Sequence, residues 1–376
     1  MSLVSLALCA VLTVPLCAAE TGAVKIGAIF AVTGPNANLG TPEARTLQMR
    51  VDEANRAGGI AGRKVELILR DSQGSAEKAV SFAKQLIEED DVLAIIGPST
   101  SGESMKLKGL CEESGTILLS CAAAETIVNP VARWVFKVAP MDSFAARMIF
   151  DTMKGMGIRR IGVLCSNSGF GQGGKAQLLK LAPGAGITIA SAEDYDKDAT
   201  DLTGVLTKLK GQDVQAIVNW STEPAQSIVL KNIRQLGWDV PVFQSHGFGN
   251  IAYATAAGKA AEGTLFPCGR ILAAETLPAS HPQKKLLVAY RTAYMVQFNE
   301  EPSTFGGHAW DAFGIIAAAV TKAGTDKDKV RDAIENMKGF VGTAGVFTFS
   351  PSDHNGLSMD AFEMLTVKNG RFVPLR

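Results

Sequence analysis

Residues 24–32, VKIGAIFAV, form a nearly continuous apolar run closed by Thr33-Gly34-Pro35. A run bounded in this way predicts a strand buried on both faces, as in a parallel sheet. The period then changes. Pro42 sits where a first helical turn tolerates it, and residues 43–56 continue as a helix stopped by Gly58-Gly59. Strand and helix alternate from there, with strands over 64–69, 92–96 and 116–119 and helices over 76–88 and 102–113. In the 76–88 segment Ala76, Ala79, Val80, Ala83, Leu86 and Ile87 keep the i, i+3, i+4 spacing of one buried helical face. This is the pattern of a doubly wound α/β unit.

After a strand-like stretch over 134–139 and Pro140, the alternation restarts with a helix from Asp142 and a strand over 161–165. It continues through strands near Ile187, over 216–220 and over 242–244, each followed by a helical pattern. From 281 to 338 helices follow one another without strands, and two strand-like runs, 346–349 and 363–367, end the chain. Helices placed after a second lobe would cover the first if the chain crosses back. The predicted fold is therefore α/β with two doubly wound lobes joined by a multi-crossover hinge. No short-period repeat is present beyond the two similar halves.

Composition agrees with two lobes. The chain has 376 residues, beyond the ~250 to 300 at which one core stops growing. With 47% hydrophobic and 20% charged residues it has the material for a core and is too apolar for disorder. Thirty-seven Lys and Arg balance thirty-seven Asp and Glu, which leaves no electrostatic footprint for nucleic acid or an acidic membrane. Residues 3–16 are apolar and are followed by Cys17, Ala18 and Ala19, the pattern of a secretory signal peptide over 1–19 that is too short for a bilayer span. Leu16 before Cys17 disfavours lipidation, so an exported, periplasmic chain is expected. Cys111, Cys121, Cys165 and Cys268 show no metal spacing and read as buried thiols; if oxidised, three pairings are open.

Enzyme signatures are missing: there is no G-x-S-x-G, H-E-x-x-H, G-x-x-x-x-G-K-[ST] or C-x-x-C. Gly169, Gly171 and Gly174 do match the spacing of a dinucleotide fingerprint between a strand and a helix, with Glu193 and Asp194 as acids downstream. Nothing else supplies a hydride acceptor site, so no cofactor is expected. The segment Gly97-Pro98-Ser99-Thr100-Ser101-Gly102 is more informative. At the carboxyl end of a strand and the start of a helix, Ser99, Thr100, Ser101 and the free helix amides form a neutral site for an anion such as a carboxylate, or else a plain helix cap. The small residues Ala122, Ala123 and Ala124 after the next strand allow a ligand close to the backbone or serve tight packing.

Taken together, Val24-Lys25-Ile26-Gly27, Thr33-Gly34-Pro35, residues 55–62 (NRAGGIAG), residues 91–97 (DVLAIIG) and Phe170-Gly171 resemble, in order and spacing, the periplasmic substrate-binding proteins of ABC importers, in the branched-chain amino acid type group with the type I two-lobe fold. The resemblance covers nearly the whole mature chain. It implies hinge crossovers near Pro140, Cys268 and Val346, with lobe 1 made of 24–140 plus 269–345 and lobe 2 of 141–268 plus 346–376. By position, Ser101 and the Ala122-Ala123 backbone correspond to carboxylate-binding elements. Ala124 stands where amino-acid-binding members usually have Thr, and His246 where they carry an acid that pairs with the ligand ammonium. Phe170 replaces a common Tyr.

Residues 38–43 (NLGTPE) and 244–250 (QSHGFGN) resemble instead the subgroup that binds aromatic carboxylates. On that reading Leu39, Phe170 and Trp220 provide apolar surfaces for a ring, and His246 bonds a ring substituent. His308, Trp310 and Asp311 resemble an interior packing segment and receive no ligand role. The expectation is an exported, monomeric, non-enzymatic solute-binding protein that delivers a small, aromatic carboxylate to the membrane subunits of an ABC permease. Its alternatives are a branched-chain or aliphatic amino or keto acid ligand, the sensing domain of a regulator, or a dehydrogenase.

Overall fold

The computed structural model describes residues 22–376, so the predicted signal peptide lies outside the described residues. Lobe 1 begins with β1 (Val24–Phe30), α1 (Ala37–Arg56), β2 (Val65–Asp71), α2 (Ala76–Glu88), β3 (Ala94–Ile96), α3 (Ser101–Ser114), β4 (Ile117–Ser120) and β5 (Val135–Lys137). Its five strands are parallel in the order β2-β1-β3-β4-β5. Residues 24–30 pack apolar side chains on both faces of that sheet, which is why the run is continuous rather than alternating.

Lobe 2 comprises α4 (Asp142–Gly155), β6 (Arg160–Ser166), α5 (Gly169–Ala185), β7 (Thr188–Tyr195), α6 (Thr203–Lys210), β8 (Ala216–Trp220), α7 (Ala225–Gln235), β9 (Val242–Gln244), α8 (Ile251–Ala257) and β10 (Leu265–Cys268). The chain then returns through α9 (Lys284–Phe298), α10 (Thr304–Ala323) and α11 (Lys327–Glu335) to the hairpin β11 (Lys338–Val341) and β12 (Val346–Thr348), and ends with β13 (Glu363–Lys368) and β14 (Arg371–Pro374). The second sheet has the order β14-β13-β10-β9-β8-β6-β7, with β13 and β14 antiparallel at one edge. Helices cover both faces of each sheet, as two doubly wound lobes require.

Two sequence expectations change. The third crossover is not near Val346. Phe347, Phe349, Leu357 and Ala361 are buried in the lobe 1 core, with Phe349 edge-on to Phe136 at 5.8 Å. Phe347 of β12 faces that core while Val346 and Thr348 face outward, so the chain leaves lobe 1 only at the 3-10 turn Met359–Ala361 and joins lobe 2 as β13. Residues 346–357 belong with lobe 1.

Helix α1 starts six residues before the expected position, which puts Pro42 inside it rather than in its opening residues. Pro42 has no N–H for the Asn38 carbonyl four residues earlier. That carbonyl is instead bonded by Asn250 Nδ2 from lobe 2, at 2.8 Å. The proline thereby frees an acceptor at the mouth of the cleft for a contact between the lobes.

Trp220, at the end of β8, is fully buried against α5. A Cβ on Gly174 would stand 2.1 Å from its Nε1, so only glycine lets the helix lie this close.

Two outcomes follow from this packing. Gly174→Ala should lower the unfolding free energy by roughly 1 to 3 kcal/mol in denaturant melts. Gly204→Ala on α6, with nothing within 4 Å of the new carbon, should be neutral or stabilising by up to about 1 kcal/mol. Asn250→Asp keeps the oxygen that accepts the Ala252 amide at the start of α8 but cannot donate to Asn38. At half-saturating ligand, where open and closed forms are near balance, small-angle scattering should show a larger radius of gyration for this variant at unchanged global stability; an unchanged radius would dismiss the contact as a closing element.

Candidate functional site

The two sheets direct their carboxyl ends at one cavity between the lobes, where open α/β sheets place ligands. Leu39, Ser99, Thr100, Ser101, Ala122, Ala123, Phe170 and His246 all line it, so eight of the nine residues singled out in the sequence meet at one place. No Asp or Glu is among the lining residues.

On the lobe 1 side, Gly97 turns the chain as it leaves β3. Its φ of +98° suits glycine, and a Cβ there would lie 2.3 Å from the Ile29 carbonyl. The three hydroxyls that follow have separate tasks. Ser99 Oγ accepts the Ala31 amide at 3.0 Å and donates to the Glu43 carboxyl, which burial pushes well above the usual carboxylate range. Thr100 caps α3 in a reciprocal capping box with Glu103. Ser101 Oγ accepts the Ala124 amide at 3.2 Å and retains its own proton for a guest in the cavity. The cap reading holds for Thr100, and Ser99 is a structural brace. Ser101 is the free donor, beside the α3 amides that have no intrahelical acceptor.

Behind the small-residue loop lies Lys137, fully buried at the end of β5. Its ammonium donates to the carbonyls of Ala123 at 2.8 Å, Ala139 at 2.9 Å and Pro140 at 3.1 Å, using all three N–H groups. Burial is the main influence on its pKa and lowers it, while the Asp142 and Glu125 carboxylates oppose the shift. The cation sets the position of the Ala123 loop and adds positive potential beneath a site without a lining cation.

On the lobe 2 side, Phe170 is on the first turn of α5 and His246 opens the 3-10 turn His246–Phe248 after β9. The imidazole is edge-packed by Phe170 at 5.2 Å, Phe362 at 5.3 Å and Trp220 at 5.6 Å. Burial, reinforced by Lys137 and His308, holds its pKa well below the ordinary value, so the ring is neutral. Its Nε2 stands 3.5 Å from Asp142 Oδ1, and Asp142 lies beside Ala124: a Cβ on Gly173 would be 3.4 Å from both Asp142 Oδ2 and Ala124 Cβ. His246 thus lines the cavity from the lobe 2 side, with Asp142 behind it.

Trp220 is the expectation that fails. It does not line the cavity; it is packed behind Phe170, at 5.9 Å between ring centroids, and supports that wall from the core. The glycines that match a dinucleotide fingerprint serve packing as well. Besides Gly174 against Trp220, a Cβ on Gly171 would lie 2.1 Å from the Ser166 carbonyl and one on Gly169 would lie 2.9 Å from the Gly102 nitrogen across the cleft. Glu193 and Asp194 pair with Lys208 and Lys175 at the surface.

His308 corrects the sequence reading in the other direction. With Thr304 and Phe305 it forms one face of the first turns of α10, and all three line the cavity. Their one-turn spacing was the available signal. Burial pushes the His308 pKa down to about 3, so it too is neutral. Asp311 faces away and accepts the Thr343 and Ala344 amides, which fixes another lining loop. Trp310 packs over Arg50, whose guanidinium carbon is 3.9 Å from the ring centroid. All four cysteines among the described residues are buried free thiols; Cys121 and Cys268 reach the cavity wall, and burial pushes Cys268 up to about 12, an unreactive thiol. Among the described residues no cluster of His, Cys, Asp and Glu is placed to hold a metal, and no helix is long and apolar enough to cross a membrane.

Comparison with known proteins places this architecture. The leucine-, isoleucine-, valine-, threonine- and alanine-binding protein of Pseudomonas aeruginosa is 27% identical over 324 residues, covering 84% of this chain and 83% of its own. Leu/Ile/Val-binding protein homolog 3 of Brucella melitensis is 25% identical over 368 residues, with 96% of each chain covered. Among solved structures, an extracellular ligand-binding receptor from Rhodopseudomonas palustris HaA2 superposes with a TM-score of 0.88 at 26% identity, over 94% of this chain and 100% of the other. The substrate-binding protein LivJ of a Streptococcus pneumoniae branched-chain amino acid transporter, solved with isoleucine, gives 0.82 at 26%, over 93% and 97%. The family model described as periplasmic binding protein matches residues 23–371, and the chain belongs to that family.

Proposed function

We propose that the protein is an exported solute-binding protein that captures a small carboxylate with an aliphatic, branched side chain and delivers it to the membrane subunits of an ABC importer. One observation carries this reading: the cavity offers a free hydroxyl and helix amides at one end, has apolar walls elsewhere, and has no lining carboxylate. Ser101 and the opening amides of α3 bond the carboxylate, with Lys137 behind them as a buried counter-charge. Leu39, Ile271 and Phe170 cover the aliphatic part. The branched-chain class is favoured over an aromatic one by the amino acids named for the relatives. An aromatic carboxylate is the second reading, supported by the rings of Phe170, His246, Phe305 and Phe362 around the cavity.

The energetics suffice. Hydrogen bonds to a charged group contribute roughly 1.5 to 3 kcal/mol each, and apolar burial adds ~25 cal/mol per Å2, against the about −8 kcal/mol of micromolar binding. Closure follows because the donors belong to one lobe and the Phe170–His246 wall to the other; only a ligand touching both favours the closed form. No reaction is part of this role.

A thermal-shift screen tests the class. Leucine, its α-oxo acid ketoleucine, and benzoate should separate, with a branched-chain acid raising the melting temperature; a ligand at 100 times its Kd stabilises by about 2.7 kcal/mol. Stabilisation by benzoate alone would move the assignment to the aromatic reading. In titration calorimetry with the acid found, Ser101→Ala should weaken binding by roughly 1 to 3 kcal/mol at unchanged fold. A loss of stability with unchanged affinity would return Ser101 to a purely structural part.

A further inference from the structure

Behind His246 lies a carboxyl group that the capture scheme leaves idle. Asp142 opens α4, is fully buried, and does not line the cavity. Apart from the Glu125 amide, which faces it from the turn after β4, Asp142 has no hydrogen-bond donor among the described residues, and neither ring nitrogen of His246 has a partner there. The two residues nevertheless meet at 3.5 Å, Oδ1 to Nε2. Buried polar atoms so poorly partnered are costly, and one proton between the residues plus one guest in the cavity would satisfy most of them.

We propose that Asp142 is a positioning residue that sets the tautomer of His246, so that the imidazole presents an N–H to the cavity and the site selects α-oxo acids over the corresponding α-amino acids. The inference rests on the carboxylate reading above and specifies its ligand.

The proton has two possible homes. If Asp142 is ionised, it can only accept from His246 Nε2–H, which leaves Nδ1 as an acceptor. If Asp142 is protonated, it donates to Nε2, and Nδ1 carries the hydrogen as a donor. The groups facing the pair are Lys137 on β5, Glu125 in the turn after β4, and His308 on α10. Burial is the largest influence on Asp142 and raises its pKa; the Lys137 ammonium and the Glu125 amide pull it down, and the Glu125 carboxylate pushes it up. Burial and then Lys137 and His308 disfavour an imidazolium. The outcome is a neutral acid facing a neutral ring, and the acid loses its proton as the pH rises.

The ligand class follows from where the ring stands. His246 lines the same cavity as Ser101, Ala122 and Ala123, so a small acid held by Ser101 brings its α-substituent within reach of the ring. An α-oxo group there accepts the N–H. An α-ammonium meets a donor and finds no lining carboxylate, so it is left buried without a partner.

Titration calorimetry on the full mature chain tests this with three acids of one shape: ketoleucine, leucine and isocaproate, which has no α-substituent. At about pH 6 the wild type should bind ketoleucine roughly tenfold or more tighter than either of the others, and the advantage over isocaproate should shrink at about pH 9, where the buried Asp142 and Lys137 pair has titrated. The loss of the Lys137 charge weakens both acids alike and cancels in that comparison. Asp142→Asn, whose amide donates at either pH, should hold the advantage at both. Asp142→Ala should lose it, while binding isocaproate like the wild type. If ketoleucine binds no better than isocaproate, or its advantage is the same at both pH values, the tautomer role is wrong while the carboxylate reading stands. Leucine bound most tightly, and abolished by Asp142→Asn, would make Asp142 an ionised partner of an ammonium and overturn the proposal. If none of the three acids binds, the aliphatic reading falls and the proposal falls with it.

Discussion

The site depends on one buried ammonium. Removing Lys137 from water costs several kcal/mol unless every N–H finds an acceptor, and the three carbonyls it bonds are all parts of the machinery: Ala123 in the small-residue loop, and Ala139 and Pro140 in the first crossover. The segment before the third crossover joins the same knot, because Asn355 Nδ2 donates to the Lys137 and Ala139 carbonyls at 3.1 and 2.8 Å. The charge thus ties the floor of the cavity to the first linking segment, and Asn355 adds the third through the backbone carbonyls of Lys137 and Ala139. The hinge and the carboxylate end of the site are positioned by the same interaction, so the ligand binds on ground that stays fixed while the other lobe moves.

Much of this was legible in the sequence, and the failures have physical causes. The strand runs at 24–32 and 116–119 read correctly because residues buried on both faces leave no alternation to misplace. The cluster Ser99, Thr100 and Ser101 was visible as a strand end meeting a helix start, but which hydroxyl stays free was not. That is decided by partners far away in sequence, Glu43 and Ala31 for Ser99 and Ala124 for Ser101. Trp220 and His308 were both misplaced because a residue at a strand end and one on a helix face can each point inward; close packing of Gly174 on the indole keeps Trp220 behind the wall, while His308 reaches the cavity from the first turns of α10. Asp142 was invisible as anything but the first residue of a helix, since its neighbour His246 is more than a hundred positions away.

Charge selection here is indirect. A lining Arg or Lys would fix an anion in place but would also have to be desolvated with it each time the lobes close. In this protein the desolvation of Lys137 occurs once, on folding, and the α3 amides are already oriented, so the guest meets a preorganised field with little left to reorganise. The surrounding apolar wall keeps that field unscreened by water. On the proposed function, such a site would admit a single carboxylate more readily than a zwitterion, because no lining carboxylate balances a second charge of the other sign.

The contacts between the lobes are correspondingly modest. The Asn250 to Asn38 bond, made possible by the missing N–H of Pro42, joins two groups at the cleft mouth, and a net hydrogen bond contributes only about 0.5 to 1.5 kcal/mol. That shifts an open and closed pair by roughly tenfold at most, whereas moving it from mostly open to mostly closed takes about 5.5 kcal/mol of differential affinity. The latch therefore cannot close the protein by itself. On the proposed function, a ligand touching Ser101 in one lobe and the Phe170 and His246 wall in the other would supply the larger share, and the closed form would then report occupancy: a transporter that recognises only the closed surface would engage loaded protein in preference to empty protein.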